Sequence, residues 1–176
     1  MLTYLATMIL GVVQLLYAPE STLSRDIVHQ AIRSVAPSLP MGKTKAYARL
    51  VHRVTTWRRI DPLLLVAVIT TESEWKPRTR SVTNDYGLTQ VHVAARGSAK
   101  FLHREHELYD PATNLREWGR LADMWRAYHH RTCKPGHQWW RHLKWGHRIK
   151  DPNPGRLDKL YQTLRSRFAP KPEPNV

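Results

Sequence analysis

Residues 61–90 read DPLLLVAVITTESEWKPRTRSVTNDYGLTQ, and the fold turns on how that stretch is divided. Asp61 is suited to cap the free backbone N–H groups of a helix, and Pro62 fits the first helical position, where its missing N–H would have had no partner. The spacing predicts a helix from Pro62 to about Trp75, stopped by Pro77 because a residue before proline is pushed out of helical geometry. From Arg78 to Val91 the chain is polar, with Asn84-Asp85 and Gly87 as turn signals, so a loop or short hairpin should follow.

Two carboxylates lie near the end of that helix. On one continuous helix, two residues correspond to about 200° of rotation, so Glu72 and Glu74 should face opposite ways. Glu72 shares spacings of three, four and seven with Leu65, Val68, Ile69 and Trp75, whereas Glu74 falls beyond Thr70 and Thr71 on the polar side. An acid on an apolar stripe has its ionised form disfavoured, and a carboxyl tuned that way can donate a proton at neutral pH. Protonation of a glycosidic oxygen needs such a group. The plainer reading is a boundary glutamate that reaches water.

Outward from this segment the sequence is helical. A helix is expected from about Lys43 to Trp57, with Tyr47, Leu50, Val51 and Val54 on one face and Arg49, His52 and Arg53 toward water. Before it, Ile27, Ala31, Ile32 and Val35 mark a short helix, read as a linker within residues 19–42 and ended by Pro37 and Pro40. Downstream, Leu115, Trp118, Ala122 and Trp125 define a helix from about Asn114, its expected cap, to His130, closed by Pro135 and Gly136. Leu157, Leu160, Tyr161, Leu164 and Phe168 mark the last one. The folded domain is expected over residues 43–169, and residues 170–176 are too proline-rich and polar to pack. Residues 1–18 carry no charged side chain and approach the roughly 17 apolar residues that cross a bilayer, so they read as an export signal or membrane anchor.

Of 176 residues, 41% are hydrophobic and 24% charged, the balance of a soluble globular chain. The 28 Lys and Arg against 14 Asp and Glu leave a net +14, which calls for an anionic partner: nucleic acid, phospholipid or a carboxylate- and phosphate-bearing cell wall. The single Cys133 excludes an intrachain disulfide. His129, Cys133 and His137 recur at i, i+4 and i+8, a spacing that could hold zinc on one helix, but Pro135 should break that helix, so neither metal nor organic cofactor is expected. Trp139, Trp140 and Trp145, interleaved with Arg141, His142 and Lys144, read as a core seam with a basic outer face or as a binding patch.

The chain resembles the soluble lytic transglycosylase (SLT) family over about Tyr47 to Trp125. Glu72-Ser73, Trp75, Pro77, Ser81 and Gly87-Leu88-x-Gln90 reproduce the order and spacing of its signature. Ile60-Asp61-Pro62 resembles the start of the family's catalytic helix, and Leu108-Tyr109-Asp110-Pro111 with Asn114-Leu115 resembles its Asp-Pro-x-x-Asn-Ile segment. Thr89 stands where the family usually has Met, and Asn84-Asp85 replaces a Gly-Ala pair. The family's Ala-Tyr-Asn-x-Gly segment has partial counterparts at Ala127-Tyr128-His129 and Leu143-Lys144-Trp145-Gly146.

The resemblance implies a mainly α (α+β), lysozyme-like fold with a short hairpin beside the catalytic helix. It implies an enzyme that cleaves peptidoglycan between N-acetylmuramic acid and N-acetylglucosamine, with Glu72 as acid and base and 1,6-anhydro sugars as products. Ser73, Trp75, Tyr86, Gly87, Leu88 and Gln90 are the candidate substrate binders: Gln90 and the Gly87-Leu88 backbone toward acetamido groups, with Gly87 allowing close approach of the sugar, Ser73 by a hydrogen bond to substrate or as support behind Glu72, and Trp75 and Tyr86 by stacking or by packing in the core. Such an enzyme would be exported, membrane-associated through residues 1–18, or carried by a phage. The rival on the same fold is a hydrolytic lysozyme, needing a second acid such as Asp85, Glu105 or Asp110. A basic nucleic-acid-binding protein lacks any motif here, and a catalytically inactive wall-binding module is the remaining alternative.

Overall fold

The computed structural model describes residues 23–93, 104–133, 138–145 and 155–170, and the chain there is mainly α, as the sequence predicts. Helices α1 (Arg25–Val35), α2 (Met41–Arg58) and α3 (Pro62–Glu72) follow one another. A hairpin of β1 (Asp85–Tyr86) and β2 (Val91–His92) comes next, then a 3-10 turn (Glu105–Tyr109) and the long α4 (Pro111–Thr132). A second 3-10 turn (Trp139–Arg141), the single turn α5 (His142–Trp145) and α6 (Arg156–Phe168) complete the order.

The centre is α3. Every residue from Pro62 to Ile69 is buried, so this helix is apolar all round rather than along a stripe. Helices α1, α2 and α6 pack around it. Its start is fixed twice: Asp61 accepts a hydrogen bond from the Leu63 N–H at 2.8 Å, and its other oxygen accepts from the Tyr161 hydroxyl of α6 at 2.8 Å. The cap that starts the central helix therefore also anchors the last one.

Two elements differ from their sequence reading. The segment expected to be a linker is a core helix: Val28, Ala31 and Ile32 of α1 are buried against α2 and α3. The apolar face of α2 alone is too narrow to cover a helix buried on all sides, and α1 and α6 supply the rest. Secondly, α4 begins at Pro111 with Asp110 as its cap, accepting from the Thr113 N–H at 2.8 Å, so Asn114 lies inside the helix. This is the Asp-Pro start of α3 repeated.

Helix α4 is joined to α2 by charge. Asp123 pairs with Arg58 and Arg126, and Arg126 also donates to the carbonyls of Arg58 and Arg59 at 3.1 Å, closing the end of α2. Trp140 packs edge-on against Tyr161 and donates its indole N–H to Asp158 of α6 at 2.9 Å, so this part of the tryptophan cluster is a core seam. Among the described residues no helix is long and apolar enough to cross a membrane. Residues 1–18, His137 and 171–176 lie outside the described residues.

Candidate active site

Glu72 is the last residue of α3, half-buried where the apolar helix meets the hairpin. Ser73 closes the helix with its N–H on the Ile69 carbonyl, while its buried hydroxyl donates to the Leu88 carbonyl at 2.7 Å. That bond ties the residue beside Glu72 to the loop of the hairpin. The Ser73 hydroxyl proton is thus used within the protein.

The helix does not reach Trp75. Glu74 (φ 52°) and Trp75 (φ 65°) are both in the left-handed region, which costs about 1–2 kcal/mol for each such residue. The reversal folds the Trp75 ring inward, against Tyr47 at 5.6 Å between centroids and with its indole N–H donating to the Thr70 hydroxyl at 3.0 Å. Burying a large aromatic at about 25 cal/mol per Å² over roughly 200 Å² contributes about 5 kcal/mol, enough to offset the strain. The rotation argument that set Glu74 opposite Glu72 therefore does not apply. Glu74 leaves on a separate turn, exposed and paired with Lys76 at 3.1 Å.

The loop facing Glu72 and Ser73 is built around Asn114. In the hairpin Asp85 pairs with His92 and Tyr86 with Val91, with Gly87–Gln90 as the connection. The buried Asn114 amide donates to the carbonyls of Tyr86 (2.8 Å) and Leu108 (3.1 Å) and accepts from the Thr89 N–H (2.9 Å) and Thr89 hydroxyl (2.8 Å). All four of its hydrogen-bonding positions are filled. Thr89 supplies two of the four, one from its backbone N–H and one from its side-chain hydroxyl.

Gly87 has φ +78°, and a Cβ there would lie 2.2 Å from the Leu108 carbonyl oxygen and 2.3 Å from Asn114 Nδ2. Its lack of a side chain is required by the protein's own packing, a correction to its reading as room for a sugar. Trp75, Tyr86 and Leu88 are fully buried, so none offers a ring or side chain to substrate, and the packing reading of the two aromatics is the one that fits. Gln90 (φ 48°) is half-buried and donates from Nε2 to the Thr79 and Gly87 carbonyls at 3.2 and 2.8 Å. The proposed substrate binders thus form a frame around Glu72, held by Asn114 and Thr89, which the sequence reading missed. The Asp110-Pro111 pair was the available signal, because it already supplies a cap and leaves Asn114 free for another use.

The other acids have their own tasks. Burial alone would raise the Asp85 pKa, but hydrogen bonds from Ser81 (2.6 Å), Thr83 (2.5 Å) and His92 (2.8 Å), with the His92 charge, outweigh it and hold the carboxyl below its ordinary value. Asp110 caps α4. Glu105 is exposed beside the Tyr86 phenol, whose pKa is raised by burial and by that carboxylate. Arg25, Arg49, His52 and Arg53 line a surface depression with Thr56 and Trp57, a basic patch on α1 and α2.

Residues 49–118 match the family profile of the transglycosylase SLT domain, the span that holds α3, the hairpin and the first turns of α4. The match, over less than half of the chain, supports an SLT-type, lysozyme-like domain and lytic transglycosylase activity on peptidoglycan in general. Neither a search of curated proteins nor one of solved structures found a match.

Proposed function

We propose that this protein is a peptidoglycan lytic transglycosylase in which Glu72 is the sole catalytic carboxyl. The observation that carries the reading is an SLT match whose span includes a half-buried glutamate at the end of an apolar helix, with the adjacent Ser73 hydroxyl bonded to the Leu88 carbonyl. In the proposed reaction the Glu72 carboxyl gives its proton to the oxygen between N-acetylmuramic acid and N-acetylglucosamine as the bond to muramic C1 breaks. The substrate's acetamido oxygen stabilises C1. Glu72, now a carboxylate, takes the proton of the muramic C6 hydroxyl as that oxygen attacks C1. The acid is restored, no water is consumed, and the product is a 1,6-anhydro end.

One carboxyl suffices for this chemistry, whereas a lysozyme must activate water with a second. The environment of the other acids supports the first. Asp85 already accepts three hydrogen bonds, Asp110 is a helix cap, and Glu74 points away on its own turn. The basic depression on α1 and α2 suits a polyanionic wall, and residues 1–18 would export the enzyme to the cell envelope or anchor it there.

Mass spectrometry of muropeptides released from purified peptidoglycan tests the reading. Ends one water lighter than hydrolysed ends, released by the wild type and lost in Glu72→Gln, are expected. Reducing ends would make the protein a lysozyme, and full activity in Glu72→Gln would overturn the site.

A further inference from the structure

We propose that His129, Cys133 and His142 form a zinc site joining the end of α4 to α5. His129 and Cys133 stand four residues apart on the last turn of α4, where such residues share a face, and Cys133 is the helix C-cap. The short α5 brings His142, an almost wholly buried histidine, across that face. His142 Nε2 lies 3.4 Å from His129 Nδ1 and 3.4 Å from Cys133 Sγ, and the three atoms all lie within 4.8 Å of one another.

Two of the separations match those of co-ligands, and the third, within 4.8 Å, shortens by a side-chain rotation when a metal binds. A tetrahedral zinc with Zn–N of about 2.0–2.1 Å and Zn–S of about 2.3 Å sets its ligands about 3.4 Å apart for N and N and about 3.6 Å for N and S. The His142 ring is held in place by the Trp125 indole stacked on it at 5.3 Å and 9° and by the Tyr128 ring edge-on at 5.3 Å, which fixes where Nε2 points.

Two imidazoles and a thiolate select zinc over magnesium or calcium, whose ligands are oxygens. Three protein ligands leave a fourth position for water or another donor. Binding displaces the Cys133 thiol proton to solvent, and the metal would act as a cross-link in a chain that has no disulfide. The sequence pattern had paired His129 and Cys133 with His137 on one helix. With α4 ending at Thr132, a histidine from the next element takes the third place.

The test uses the untagged full chain, purified under reducing conditions. One zinc per chain should survive dialysis, and substitution by Co²⁺ should give the near-ultraviolet charge-transfer absorption of a thiolate–cobalt bond. Cys133→Ser, at a half-buried cap position, should keep the circular dichroism of the metal-free chain, lose that absorption and bind zinc more than about tenfold more weakly. Zinc should raise the Tm of the wild type and not of Cys133→Ser. Less than one zinc per chain, cobalt binding without the thiolate band, or zinc affinity unchanged in Cys133→Ser would each overturn the proposal. None of these readouts depends on peptidoglycan cleavage.

Discussion

Asn114→Ala tests whether one buried amide sets the geometry opposite Glu72. The substitution leaves three buried backbone groups without their partner: the Tyr86 and Leu108 carbonyls and the Thr89 N–H. The Thr89 hydroxyl can turn elsewhere. A buried polar group left unpaired costs about 1–3 kcal/mol, and a water entering the small polar gap would recover part of the total, so the expected loss is about 3–5 kcal/mol. Domains are stable by only about 5–15 kcal/mol, so the change is large. Urea unfolding of the full chain reads it as a lower midpoint at unchanged slope. Arg116→Ala, on an exposed position of the same helix, is the control and should fall within about 0.5 kcal/mol of wild type. A loss below about 1 kcal/mol in Asn114→Ala would refute the assignment of Asn114 as the joint between the hairpin and α4.

Other perturbations separate support of the site from its chemistry. Ser73→Ala removes the bond to the Leu88 carbonyl and should lower the rate of wall cleavage about ten- to a hundredfold, at a stability cost of roughly 1–2 kcal/mol; rates in muropeptide release and a melting curve check the two numbers. Because the Asp85 carboxyl is held below the ordinary range of an aspartate, its ionised form favours the folded state above that range, and the contribution fades as pH falls through it. Asp85→Asn should therefore be destabilised at neutral pH by about 1–3 kcal/mol, with the gap to wild type closing in acid melts below about pH 4. Tyr161→Phe removes one hydrogen bond to the Asp61 oxygen, which keeps its ion pair with Arg165, and should cost about 1 kcal/mol in the same melts without changing the products of cleavage.

The parts of this fold that the sequence revealed are those governed by local rules. Asp61-Pro62 marks the start of α3 because capping is decided within three residues, and the α2, α4 and α6 faces show in their 3.6-residue spacing. The end of α3 was not legible, since no local rule favours two successive left-handed residues at Glu74 and Trp75. That turn exists because it brings a tryptophan to Tyr47 and Thr70, which are distant from it in the pattern used to draw the helix. The role of α1 was hidden for the same reason: its short apolar stripe looks optional until α3 is seen to need cover on every side.

The signature residues illustrate the same division more sharply. Read from the sequence, the Gly87-Leu88 backbone was a candidate sugar contact, while Ser73 and Trp75 were open between substrate and the protein's own packing. In three dimensions their polar and steric demands are met by one another and by Asn114 and Thr89. A pattern of rare residues at fixed offsets can thus mark a catalytic position without touching substrate, since holding one carboxyl within a fraction of an ångström needs a rigid surround. It follows that Glu72→Gln and Asn114→Ala should be distinguishable in one experiment. The first should keep the melting curve and lose the chemistry, and the second should lose stability first, with cleavage recovering as the temperature is lowered.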